Sequence, residues 1–472
     1  MTRLTHNVLI VALAVMLAGS ALPAQSPALS GQTPALSGQT PALSGQTPAL
    51  SVPYTQFTLP NGLNVILHRD TSVPVVAVNL WYHVGSANER VGRTGFAHLF
   101  EHVMFEGSMH VPEGSFDTWL EAAGANNNGS TNTDRTNYYI DLPANALELA
   151  LFLESDRMGF LLDDKAPGKV DGQRDVVKNE KRQSVDNQPY GQAFVELSSL
   201  LYPPGHPYSW PVIGSMEDLT AASFEDVARF FRTYYVPNNA SLVIAGDIDL
   251  ANTRKLVEKW FDDVARGKPV EPLATPTAVL DGVKRKTITD RVQLPRLYLA
   301  WHTPGLLKPG DATMDMVANL LSSGKNSRLY RRLVYDLQIA QDVAAFQQSQ
   351  ALGSNFIIMA TARPGQDLGK IQAVIDEELD QLRAEAPGGR EMTRALNQTE
   401  ASFYRNMERV GGFGGKADQL NAYFKAAGTP DFFDQDLARY RTVTAAEVQA
   451  AVGRYLPKDR RVELSVIPGD KK

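Results

Sequence analysis

At 472 residues the chain is too long for one hydrophobic core, which implies two or three domains or a large duplicated fold. Its 43% hydrophobic and 21% charged residues are those of an ordinary globular protein, and a net charge of -6 excludes the basic footprint of a nucleic-acid binder. With no cysteine present, disulfides and a lipoprotein cysteine anchor are excluded as well.

Residues 1–24 read as a secretory signal: Arg3, the apolar run from Val8 to Leu17, then the small residues around Ala18-Gly19-Ser20-Ala21 and Pro23-Ala24. An exported protein, periplasmic or secreted, is therefore expected. The run is too short to leave a stable membrane span. From Pro27 the heptad Pro-Ala-Leu-Ser-Gly-Gln-Thr occurs three times and ends on a partial copy at Pro48-Ala49-Leu50-Ser51. A proline in every copy forbids a continuous helix, so residues 25–53 read as a flexible tether.

The folded chain starts with a predicted hairpin, Phe57–Leu59 and Leu63–Leu67 around Asn61-Gly62. Val75 to Val84 is apolar almost throughout and predicts a central strand. Helices are predicted over Gly95–Gly107, Phe116–Ala123 and Ala144–Met158, and a strand over Thr136–Leu142. Asn126–Thr131 is polar and reads as turn-rich. Residues 54–265 form the first half of the fold, residues 266–285 with Gly267, Pro269, Pro272 and Pro276 a linker, and residues 286–472 a second half.

The stretch Gly95 to Gly107 carries the chemistry. Phe96, Leu99, Val103 and Met104 recur at helical spacing, and His98 and His102 stand four residues apart. Such a pair lies on one helix face, about 6 Å apart along the axis, so two imidazoles can converge on one ion with Glu101 beside them. The order His-x-x-Glu-His is that of an inverted zinc motif, in which the carboxylate can take a proton from water at the metal. Three ionisable groups on a mostly buried helix need such a partner. Two histidines leave a third ligand to be found. Glu106, Glu121, Glu148, Glu154, Glu180 and Glu196 qualify by type, and spacing does not choose among them.

His98-Leu-Phe-Glu101-His102, followed 78 residues after His102 by Glu180 of Arg174-Asp175-Val176-Val177-Lys178-Asn179-Glu180, resembles the inverted zincins of the pitrilysin, insulinase and mitochondrial processing peptidase family. Gly85-Ser86, the segment Asn128 to Tyr138, and Tyr234 to Ala240 running into Val243–Asp247 add to the likeness, which covers about residue 54 to the end. The resemblance implies a zinc-dependent endopeptidase, with His98, His102 and Glu180 as zinc ligands and Glu101 as general base. It implies that Asn128 marks an edge strand to which an extended peptide substrate adds. It also implies an α+β fold of two homologous halves, each a mostly antiparallel sheet backed by helices, facing across a cleft. Ala312–Gly324 aligns with the zinc helix at an offset of 217 residues, so His98 falls on Asp315, Glu101 on Ala318 and His102 on Asn319. The second half is expected to be metal-free.

Two departures stand out. Relatives with a complete site carry an Arg and, seven residues on, a Tyr in the second half, which hydrogen-bond the oxyanion of the reaction. Here Val334 and Gln341 take those positions, and Arg331, Arg332 and Tyr335 are out of register. The expectation is a heterodimer in which a homologous zinc-less subunit supplies the Arg and Tyr. The rival expectation is a non-catalytic scaffold or metal-binding subunit. The second departure is Gln173, where relatives often have Glu.

Overall fold

Val75-Val76-Ala77-Val78-Asn79-Leu80-Trp81-Tyr82 has few solvent-seeking positions, and the strand it forms is covered on both faces. The structure, a computed structural model, describes residues 49–162, 166–274 and 276–469. The predicted signal and the tether up to residue 48 lie outside the described residues.

The first half contains β1 (Thr55–Thr58), β2 (Asn64–Arg69), β3 (Val75–Tyr82), β4 (Asn126–Thr131), β5 (Thr136–Pro143) and β6 (Ala240–Gly246). Its helices are α1 (Phe96–Val103), α2 (Ser115–Ala122), α3 (Leu147–Phe160), α4 (Ala166–Lys181), α5 (Ala193–Leu201), α6 (Met216–Ala221), α7 (Phe224–Tyr234) and α8 (Leu250–Phe261). The second half contains β7 (Lys284–Asp290), β8 (Arg296–Thr303), β9 (Ala340–Gln348), β10 (Ser354–Ala362) and β11 (Val462–Pro468). With them go α9 (Asp311–Ser322), α10 (Leu368–Ala384), α11 (Gly389–Glu408), α12 (Lys416–Ala427), α13 (Phe433–Arg441) and α14 (Ala445–Tyr455).

The sheet orders are β1-β2-β6-β3-β5-β4 and β7-β11-β8-β10-β9. Setting β1 aside, they match strand for strand. In each, one parallel pair (β2 with β6, β7 with β11) precedes a run of antiparallel pairs. The halves are thus two copies of one α+β unit, as the sequence offset implies. The predicted hairpin forms with Thr58 opposite Asn64. Asn126–Thr131, read as turn-rich, is instead a strand, because β5 pairs with it along its whole length and leaves its other side open.

From Leu50 onward the two halves form one unit, and each covers the other. On β3, Val76, Val78, Leu80 and Tyr82 face the first half's own core, with α1, α3, α4, α7 and α8. Ala77 points the other way and, with Ile66, Val243 and Ala245, meets Ala417, Leu420 and Tyr423 of α12, a helix of the second half. Conversely, Ala193, Leu197 and Leu201 of α5 cover Tyr298, Ala300, Ile357, Leu464 and Val466 on the second sheet. This exchange explains the continuous apolar runs: a strand buried on both faces has no side to leave polar. Each large apolar side chain removed from water, such as Ile66, Val243 or Leu420, contributes about 1.5–3 kcal/mol.

A buried polar seam fixes the register of the exchange. One Asp418 oxygen accepts from Trp81 Nε1 and from Asn137 Nδ2, both at 2.8 Å, and its other oxygen accepts from the Gly414 amide at 2.8 Å. Asn421 donates to Asn79 O at 2.9 Å and accepts from Ser241 Oγ at 2.7 Å. Replacing Asp418 by Ala leaves two buried donors on the first sheet without an acceptor. We expect a loss on the order of 3 kcal/mol in urea unfolding, while a substitution at exposed Arg390 changes stability by less than about 0.5 kcal/mol.

Candidate metal centre

α1 is short, so its ends and its buried face must be held from outside. Gly95 precedes it at φ 90°, a left-handed conformation that favours glycine. The carboxylate of Glu89 caps the helix, accepting from the amides of Gly95 and Ala97 at 2.9 Å each. Burial pushes the Glu89 carboxyl up to about 8, against the pull of these amides. On the inner face Tyr138 Oη donates to Phe100 O and Tyr235 Oη to Ala97 O, both at 3.3 Å. The Phe100 ring packs on Phe231 and Tyr235, with centroids 5.0 and 5.3 Å away. The opposite face presents His98 and His102, whose rings meet edge to face with centroids 4.8 Å apart.

α4 runs alongside α1, anchored in the core by Val170 and Val177, and brings in Glu180. Glu180 Oε2 lies 3.1 Å from His102 Nε2 and 3.6 Å from His98 Nε2. One donor atom from each of the three residues falls within 4.8 Å of the others, and they form the one such His and carboxylate group among the described residues. Tetrahedral donors about 2.0–2.2 Å from zinc stand roughly 3.3–3.6 Å from one another, so these carboxylate-to-imidazole separations suit the ion. Glu180 Oε2 is itself buried and receives no hydrogen bond. A buried carboxylate oxygen facing two ring nitrogens needs positive charge beside it, which a bound cation or a protonated His102 would supply. Burial lowers the His98 pKa, which keeps the imidazole neutral and its lone pair free to donate.

The other candidate glutamates are engaged elsewhere or exposed. Glu154 is buried against Arg157, with bonds of 2.8 and 2.5 Å. Glu148 pairs with Lys259 at 2.6 Å, Glu196 pairs with Lys286, and Glu121 is exposed. Glu106 accepts from Gln173 Nε2 at 2.5 Å, and Gln173 also interacts with His102. The departure at Gln173 therefore places an amide, not a second carboxylate, behind a donor imidazole. Burial opposes protonation of His102, but Glu180, Glu101 and Gln173 outweigh it and raise its pKa.

Glu101 lies on α1 between the two histidines in sequence, where β4 passes close by. A Cβ added to Gly129 would stand 3.1 Å from Glu101 Cγ and 3.1 Å from the Tyr138 ring, so glycine is what lets the strand approach. Arg135, missed in the sequence, holds β4 through Ser130: its Nη1 donates to Ser130 O at 2.8 Å and to Ser130 Oγ at 2.5 Å. Asn128 sits on this edge strand opposite Tyr139, its Oδ1 accepting from the Gly129 amide at 2.8 Å.

In the second half Val334 packs against the core and Gln341 is exposed at the start of β9. Arg332 is engaged by Glu377 and by Glu378, the latter at 2.9 Å, and Tyr335 is 73% exposed.

A duplicated α+β fold with an inverted His-x-x-Glu-His helix and a remote glutamate defines a class of metallopeptidase-like proteins. The profile described as insulinase (peptidase family M16) matches residues 64–201, and that of the peptidase M16 inactive domain matches residues 221–399. The chain belongs to peptidase family M16. It is 29% identical to the zinc protease PqqE of Helicobacter pylori over 361 residues, 74% of this chain and 79% of that protein. It is 24% identical to a probable mitochondrial-processing peptidase subunit beta of Arabidopsis thaliana over 423 residues, 87% of this chain and 77% of that one. The crystal structure of a protease from Helicobacter pylori superposes with a TM-score of 0.80 at 25% identity, covering 89% of this chain and 100% of that one.

Metal content tests the donor set. The purified chain should hold one zinc, and Glu180→Gln should weaken it by more than the roughly 10–100-fold that Gln173→Ala, behind the ligand, is expected to cost. Unchanged zinc affinity in the Glu180 variant, measured by chelator competition, would put the third donor elsewhere.

Proposed function

We propose that the chain is a zinc-dependent endopeptidase acting on peptides or extended protein segments, and that it is the metal-carrying subunit of a heterodimer. The observation that carries this reading is the Glu180 oxygen without a hydrogen-bond donor, facing the His98 and His102 nitrogens, with Glu101 on the same helix. His98, His102 and Glu180 would hold the zinc, which when bound would supply Lewis acidity for a scissile carbonyl and for water. A Glu101 carboxylate oxygen accepts the proton that the attacking water loses and then delivers it to the leaving amine nitrogen. An extended substrate adds to the open side of β4 by backbone hydrogen bonds, in reach of the Asn128 side chain. Export fits the pattern of Arg3 and Val8–Leu17, and no described helix is long and apolar enough to cross a membrane.

Val334 and Gln341 offer neither a cation nor a phenol to the developing oxyanion, and Arg332 is already neutralised by two glutamates. A homologous zinc-less chain bringing an Arg and a Tyr completes the site. One missing oxyanion donor typically costs about 10²–10³ in turnover. The purified chain alone is therefore expected to cleave peptides at least about 100-fold more slowly than the complex recovered from its source. Full turnover by the isolated monomer would remove the need for the second subunit.

Glu101→Gln separates chemistry from metal binding. It should retain zinc and, in the complex, lower turnover by about 10²–10⁴. Wild-type turnover in that variant would overturn the assignment of Glu101 as base. The second reading, a non-catalytic scaffold or metal-binding subunit, draws support from the inactive-domain match over residues 221–399 and from Val334 and Gln341. It differs in expecting zinc without turnover even in the complex.

A further inference from the structure

The second half keeps a cavity where the first half keeps its metal donors. Asp315 and Asn319, which fall on His98 and His102 at the offset of 217 residues, lie on α9, and α11 follows α10 as α4 follows α3. α11 packs against α9 as α4 packs against α1. Asp315, Asn319 and Asn397 all line one open cavity of about 1040 Å³ between these helices.

The chemistry of this lining differs from that of the metal centre. Both imidazoles are gone, and Asp315 accepts a hydrogen bond from Tyr440 Oη at 2.8 Å. Burial, with Asp311 nearby, pushes the Asp315 carboxyl up to about 7. Against this single acid stand Arg390, Arg394 and Arg405, which α11 brings to the same cavity. Three guanidinium groups repel a metal ion and attract an anion. Arg394 Nη1 donates to Ser323 O at 2.6 Å, but its Nη2 is buried with no partner, and so is Asn319 Oδ1. The cavity thus offers one buried cationic donor and one buried neutral acceptor, both unused.

We propose that this cavity is a second binding site, for a peptide segment bearing carboxylates: Arg394 Nη2, aided by Arg390 and Arg405, takes the carboxylate, and Asn319 Oδ1 takes an amide N–H. An inorganic anion satisfies the arginine but brings no N–H for Asn319, and it fills little of the volume. The inference is independent of the peptidase reading, since it uses no group of the metal centre.

Titration calorimetry of the full chain with N-acetyl-triglutamate tests it. Binding is expected in the wild type and unchanged in His102→Ala, which disables the metal centre. It should weaken about ten- to hundred-fold in Arg394→Gln, the effect of losing a charge-assisted bond. Because Arg394 also holds Ser323, Arg390→Gln provides a second arm. Arg390 is exposed and makes no ion pair among the described residues, so its loss should weaken binding without lowering Tm. The neutral N-acetyl-trialanine amide should bind at least about tenfold more weakly. No binding, binding indifferent to both arginine variants, loss in His102→Ala, or displacement by equimolar inorganic phosphate would each overturn the proposal.

Discussion

Two imidazoles and a carboxylate are drawn out of water to within 4.8 Å of one another, and the surrounding fold bears the cost of keeping them there. α1 supplies two of the three donors through its own geometry, because residues four apart share a face. The third comes from α4, so the donor set depends on how the two helices are fixed relative to each other. Glu89 closes one end of α1, Tyr138 and Tyr235 hold its inner carbonyls, and Val170 and Val177 seat α4 in the same core. None of these contacts involves a donor atom, yet each limits how far Glu180 can drift from His98 and His102.

The second half has a structural role in the first. Its α12 covers Ile66, Ala77, Val243 and Ala245 on the back of the first sheet, and its Asp418 satisfies Trp81 and Asn137. Without it, an apolar sheet face and two buried donors would meet water directly. The covering requires the fold of the second half but no donor set there, and Asp315 and Asn319 stand where the first half has His98 and His102. The helices that correspond to α1 and α4 still pack side by side, and the space between them remains.

Local pattern made part of this legible. His98 and His102 fall four apart on a helix with an apolar face, and Val75 to Tyr82 is too apolar to be anything but an interior strand. Glu180 could not be picked from six glutamates by spacing, because what sets it apart is that Arg157, Lys259, Lys286 and Gln173 engage four of the others. The polarity of Asn126–Thr131 hid β4, since an edge strand backed by a long partner needs no apolar run of its own. Glu89 caps α1 from six residues upstream of Gly95, outside the usual capping position. Asp418 lies 281 residues from Asn137, and no local rule reaches that far.

The placement of β4 links binding to chemistry. A strand added to a sheet edge lies about 4.8 Å from its neighbour, with its carbonyls alternating between the two sides. On the proposed reading, a peptide paired with β4 passes beside the residue whose missing Cβ lets Glu101 stand close. Backbone pairing then sets the register of the scissile bond, and Arg135, by holding Ser130, sets the position of the template. Such a site recognises an extended main chain before it recognises any side chain. On that reading the chain alone favours unfolded segments, and finer selectivity comes from whatever closes the other side of the bound peptide.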